Sequence, residues 1–207
     1  MSKLTSKELN RIFVKSIATL PTSQSTLLNS LNVTSLPWKK IYCLPYVTTI
    51  DSYSRMFQYK ILHNILFLNK KLYRIGFADS PLCSYCGEDD ETFQHLFLDC
   101  NFSKSLWKDI QVFFHGRLNI PSLNLQSATV GFFDIGKECH AYNNILLIFK
   151  LCLYQFRNKK LPTLQLFLNN LVRREALERN NVVLIPNKLS FHKKKWDFFS
   201  FYYMASH

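Results

Sequence analysis

A mainly α fold is what this sequence predicts, with one short segment of different character set into it. Three observations predict it. Glycine and proline are scarce, at 5 and 7 of 207 residues, while 47% of the chain is hydrophobic and 15% aromatic. That is enough apolar material for a core and too few turn formers for a β sandwich. Apolar residues recur at helical spacing along most of the chain. The exception is Cys83-x2-Cys86-x8-His95-x4-Cys100, where four strong metal-ligating residues fall close together.

Residues 4–18 and 23–31 read as two short helices separated by Pro21. Ser35–Pro45, with Pro37, Trp38 and Pro45, reads as a turn-rich connection. Asp51 or Ser52 then caps a long helix reaching about Leu72. Its apolar face is Ile61, Leu62, Ile65, Leu68 and Leu72, and Gly76 ends the unit. Asp79–Asp90 forms a loop, and Thr92–Leu98 a short helix carrying His95. Ser103–His115 is amphipathic through Leu106, Trp107, Ile110 and Phe114. Asn119–Gly136 is irregular, with one short strand expected at Thr129–Phe133. Ala141–Phe156 is apolar nearly all round, so it is expected at the centre. Pro162 opens a last helix, with Leu164, Phe167, Leu168, Leu171 and Val172 as its buried stripe and Asn180-Asn181 as its end. The tail, Lys188–Phe199, is basic and aromatic. The organisation expected is an N-terminal helical segment 1–37, a helix plus metal-binding region 38–118, and a C-terminal helical region 119–207.

Two thiols two residues apart reach one ion, and His95 and Cys100 supply a second pair from a short helix. Three thiolates and one imidazole close a tetrahedron of the kind zinc takes in structural sites, with no position left for a reactive water. The fold class is therefore a helical domain with an embedded Cys3His zinc knuckle, holding one structural Zn²⁺. Pro81 stiffens the approach and Gly87 supplies a turn residue that tolerates positive φ. The first twenty residues hold polar Lys3, Lys7, Glu8, Arg11 and Lys15 and no apolar signal segment. A reducing, intracellular compartment, nucleus or cytoplasm, is expected, where close cysteines read as metal ligands. Cys43, Cys139 and Cys152 read as buried small hydrophobes. The longest apolar run, Ile145–Phe156, contains Lys150 and is too short to cross a bilayer, so no membrane partner is expected.

The formal net charge is +12, and it is unevenly spread. Asp79, Glu88, Asp89, Asp90, Glu91 and Asp99 fall in residues 79–100, which contain no Lys or Arg. All 26 bases therefore face only the other eight acids elsewhere. Such a surplus fits a polyanionic partner, nucleic acid before membrane, and no small-molecule substrate. The candidate phosphate contacts are Lys70, Lys71 and Arg74; Arg157, Lys159 and Lys160; and Lys193, Lys194 and Lys195, with Trp196 as a stacking ring. The plainer readings are a helix C-terminus capped by Lys70, Lys71 and Arg74, and a tail docked on the core through Trp196.

At these residues a family resemblance becomes visible. Arg55-Met-Phe-Gln-Tyr-Lys-Ile-Leu-His63, Ser80-Pro-Leu-Cys-Ser-Tyr-Cys86, Glu91-Thr-Phe-Gln-His95-Leu-Phe-Leu-Asp-Cys100 and Leu106-Trp107 carry it. Asn143–Lys150, Glu178 and Lys195-Trp196 continue it. Together they resemble the zinc-binding domain at the C-terminus of LINE-type, non-LTR retrotransposon reverse transcriptases. The resemblance implies a nucleic-acid-handling appendage, engaging RNA or DNA beside a retrotransposon polymerase. It carries over the ligands Cys83, Cys86, His95 and Cys100 and no catalytic residue. The one adjacent acid pair, Asp89-Asp90, lies inside the zinc loop, where a solvated turn and helix cap is the simpler reading. No catalytic residue is therefore expected. The competing readings are a zinc-stabilised protein-interaction module and a decayed retrotransposon fragment without selected function.

Overall fold

The computed structural model describes residues 5–17, 19, 21–133, 139–159, 161–183, 189, 192–193 and 195–200. Among them the chain is helical, and the only β pairing is an isolated antiparallel bridge between Leu82 and Asp90. Two compact units are present, Met1–Leu36 and Pro37–His207. The first holds α1 (Ser6–Ile17) and α2 (Thr22–Leu31). Thr5 and Glu8 close a reciprocal cap at the start of α1: Thr5 N donates to the Glu8 carboxylate and Glu8 N to Thr5 Oγ1.

The second unit is built from α3 (Trp38–Thr48), α4 (Ser52–Leu62), α5 (Asn69–Arg74), α6 (Asn101–Phe114), α7 (Leu125–Val130), α8 (Cys139–Phe156) and α9 (Leu164–Val183). Helix α8 is its axis. From Ala141 to Leu153 every residue is buried, as its all-round apolar pattern predicts. Helices α3, α4 and α9 pack on it. Trp107 of α6 meets Phe149 edge-on at 4.8 Å, and Phe114 packs against Phe198 and Phe199.

Several expectations are corrected. Ser35–Pro45 is not a loop: α3 starts directly after Pro37, and Pro45 sits near its end. A proline there sacrifices one N–H while Ile41, Pro45 and Thr48 still form a buried stripe. The long helix expected to reach Leu72 stops at Leu62. Asn64 takes a left-handed φ of +50°, and the Ile65 N–H returns to the Lys60 carbonyl, closing the helix end. Ile65 is consequently exposed, while Leu66 and Leu68 re-enter the core. No strand forms at Thr129–Phe133. Asn124 and Ser127 make a reciprocal capping box that starts α7 instead, and Gly131 ends it at φ +92°. A Cβ on Gly131 would lie 2.4 Å from Leu44 and 2.6 Å from Asn143. Cys43 is exposed on the outer side of α3, against the expectation of burial; Cys139 is partly buried and Cys152 is buried.

The candidate metal centre

Cys83 and Cys86 sit on a tight turn. The Gly87 N–H donates to the Cys83 carbonyl at 2.9 Å, and the Cys83 N–H donates to the Asp89 carbonyl at 2.7 Å. Gly87 has φ +70°, the conformation the turn demands. Backbone N–H groups of Tyr85 and Cys86 point at the Cys83 sulfur, and those of Glu88 and Asp89 at the Cys86 sulfur. Donors aimed at both sulfurs favour thiolates.

His95 and Cys100 come from one turn of unusual pitch. Five residues advance about 140° around an α-helix, which would put the two side chains on different faces. Here residues His95–Asp99 form a π turn, and the Cys100 N–H donates to the His95 carbonyl at 2.8 Å. The wider turn brings residue 100 back over residue 95. Thr92 Oγ1 accepts from the His95 N–H and anchors the turn's start. Cys100 then leaves helical geometry and heads α6.

The four ligand atoms lie within 4.8 Å of one another. Cys86 Sγ is 3.2 Å from His95 Nε2. Tetrahedral zinc, at about 2.3 Å to sulfur and about 2.0 Å to nitrogen, separates its donors by about 3.5–3.8 Å. The donor set therefore fits one zinc ion in type, number and spacing. His95 Nδ1 faces the Asp89 carboxylate at 3.5 Å, and Nε2 faces the Cys86 sulfur. Burial pushes the Cys83 thiol up to about 12. Burial also opposes ionisation of Cys86, but hydrogen bonds with the Asp89 and Glu88 N–H groups, His95 and Cys83 together outweigh it and bring that thiol to about 7. A dication among the sulfurs supplies the charge that a buried thiolate needs.

The knuckle is fastened to the helical core by a residue whose place the sequence does not announce. Glu91, one of the six acids of the 79–100 segment, is fully buried. Its Oε1 accepts from the Asn69 N–H at 3.0 Å and from Arg157 at 2.9 Å; its Oε2 accepts from the Ser84 N–H at 3.0 Å and Ser84 Oγ at 2.7 Å. Arg157 lies over the Tyr154 ring at 4.1 Å. Tyr85 adds a hydrogen bond from its hydroxyl to the Leu153 carbonyl at 2.6 Å. Arg157 is thus placed as a structural clamp, with its charge matched by Glu91.

The tail is anchored in a similar way, the plainer of the two readings given for it. Lys195 is 3% exposed and Trp196 4%. Lys195 Nζ donates to both Glu178 oxygens, at 2.8 and 2.7 Å, and to the Thr48 carbonyl. Trp196 Nε1 donates to the same carboxylate at 2.9 Å. A lysine and a tryptophan that share one buried carboxylate are inward anchors. Lys193 and Lys159 are exposed; Lys160 and Lys194 lie outside the described residues. On α5, Lys70 is exposed and 3.0 Å from Asp90. Lys71 donates to the Asn64 carbonyl and side chain, and Arg74 is exposed. Among the described residues no helix is long and apolar enough to cross a membrane.

Residues 23–107, less than half the chain, match the family model described as zinc-binding in reverse transcriptase. No curated protein and no solved structure matches the chain. The matched segment contains all four ligands, and it is a zinc-binding domain related to those of reverse transcriptases.

Proposed function

We propose, from this reverse-transcriptase-type zinc-binding domain, that the protein is a non-catalytic nucleic-acid-binding module in which zinc holds shape and exposed cations bind phosphates. The observation that carries the reading is charge segregation around the knuckle. Residues 52–78 contain Arg55, Lys60, Lys70, Lys71 and Arg74 and no Asp or Glu. Lys70 and Arg74 of α5 are exposed beside the knuckle. The Lys70–Asp90 pair at this surface contributes little and yields readily to a phosphate. The absence of polymerase chemistry is supported by the fate of the acid pair: Asp89 faces His95 and Asp90 faces Lys70. Both acids belong to the knuckle's own loop, and four protein ligands leave zinc no water to activate.

The test is a titration of zinc-loaded protein with labelled RNA, single-stranded DNA and duplex DNA across salt concentrations. The logarithm of affinity falls linearly with the logarithm of salt concentration, with a slope of about 0.7–0.9 per phosphate neutralised. Gln at Lys70, Lys71 and Arg74 together lowers that slope by roughly one for each phosphate no longer neutralised. Salt-insensitive binding, or the same slope in the triple variant, overturns the reading. Primer extension by the wild type with Mg²⁺ overturns its non-catalytic part.

A further inference from the structure

We infer that the groove between α3 and α4 is a stacking site for the bases of single-stranded nucleic acid. This rests on the nucleic-acid reading above and locates its base-contacting surface.

The groove has a volume of about 470 Å³, and its walls include Tyr42, Tyr46, Arg55, Met56 and Tyr59. Three of these project outward: Tyr46 is 67% exposed, Met56 53% and Tyr59 46%. Single exposed apolar residues need no explanation. A row of near-parallel rings does. Trp38 and Tyr42 lie 6.0 Å apart at 27°, Tyr42 and His63 6.2 Å at 29°, and His63 and Tyr59 4.1 Å at 33°. At the other end the Arg55 guanidinium sits 4.9 Å from the Tyr46 ring centre. Core packing does not require this set, because α3 and α4 already turn Ile41, Phe57, Ile61 and Leu62 inward. Tyr42 and Tyr59 of this row line the groove with Tyr46, and aromatic rings of this kind are what planar bases stack on.

Charge selects the occupant. Helices α3 and α4 carry Lys39, Lys40, Arg55 and Lys60 and no acid. The only acid in the connection, Asp51, is occupied: it caps α4 through the Tyr53 and Ser54 N–H groups and lies 3.6 Å from Arg174. A strand with unpaired bases offers phosphates to these cations and ring faces to the tyrosines. A duplex keeps its ring faces stacked inside, and an acidic protein offers charge without planar faces.

The experiment compares zinc-loaded wild type with a Tyr46→Ala/Tyr59→Ala variant, using a fluorescein-labelled single-stranded RNA of about 20 nucleotides, enough to cover a site of the usual size, and a duplex of equal length at one salt concentration. Both residues are substantially exposed, so the variant retains its zinc and its melting temperature. Its affinity for the single strand falls roughly tenfold or more, while duplex affinity is unchanged. Crosslinking of wild type with a 4-thiouridine RNA, which needs no variant, places adducts on α3 and α4. Equal single-strand affinity in the variant, with crosslinks elsewhere, overturns the groove assignment and leaves the nucleic-acid reading standing. No RNA binding by the wild type overturns both. Displacement of the RNA by an acidic peptide whose own binding is lost in the variant makes the groove a protein site and overturns the assignment.

Discussion

Replacing Glu91 with Ala should damage this protein more than replacing any neighbouring acid. The side chain is fully buried and accepts four hydrogen bonds, from Asn69, Ser84 (twice) and Arg157. Its removal leaves a guanidinium in a largely buried setting and two backbone N–H groups without acceptors. Breaking a buried ion pair from one side costs about 3–5 kcal/mol. Each unsatisfied buried donor adds up to about 1–3 kcal/mol, less than additively once water enters. A loss of at least about 3 kcal/mol is a large share of the roughly 5–15 kcal/mol that holds a domain folded. Asp89→Ala, removing an exposed carboxylate, should cost under about 1 kcal/mol. Urea unfolding of the zinc-loaded proteins measures both. Pairing Glu91→Met with Arg157→Met should recover much of the loss, because no unpaired charge then remains. A Glu91→Ala cost below about 1 kcal/mol, no more than a surface pair is worth, would refute the clamp.

Lys195→Ala should likewise lose about 3–5 kcal/mol of stability, read by urea unfolding, while the salt slope of RNA binding stays at the wild-type value. Lys150 makes stability depend on pH. It is fully buried, hydrogen-bonded to Gln58 at 2.7 Å and the Ala128 carbonyl at 2.9 Å, and desolvation lowers its pKa from the usual 10.5 to about 7. Between those values the unfolded chain binds a proton that the native chain does not. The Lys150 contribution to stability therefore rises with pH from about 7 towards about 10 and is lowest below 7. Lys150→Met should flatten that rise in a pH series of unfolding measurements; an unchanged rise would place its cause elsewhere.

What the sequence disclosed was local. The ligands span eighteen positions, Cys83 to Cys100, and their spacing identifies the ion without knowledge of the fold. Helix α8 declares its central place by being apolar all round. What stayed hidden depended on partners distant along the chain. Glu91 looks like its acidic neighbours, because Arg157 lies 66 positions away. Lys195 and Trp196 read as a basic-aromatic patch, because their shared partner Glu178 lies 17 and 18 positions earlier, in α9. The π turn joining His95 to Cys100 has no residue pattern of its own. The end of α4 is hidden for a different reason: Asn64 in left-handed geometry stops a helix as glycine does, yet it stands among good apolar periodicity.

Cys83, Cys86, His95 and Cys100 hold one zinc ion that maintains the fold. X-ray absorption at the zinc edge, on protein shown by elemental analysis to carry about one zinc per chain, reads that coordination shell itself. The expected spectrum contains three sulfur neighbours at about 2.3 Å and one nitrogen at about 2.0 Å, with Cys86→Ser losing the metal and the helical signal of residues 79–115 together. Zinc content unchanged in Cys86→Ser, or a shell containing bound water, would show that the four residues do not form a closed structural site.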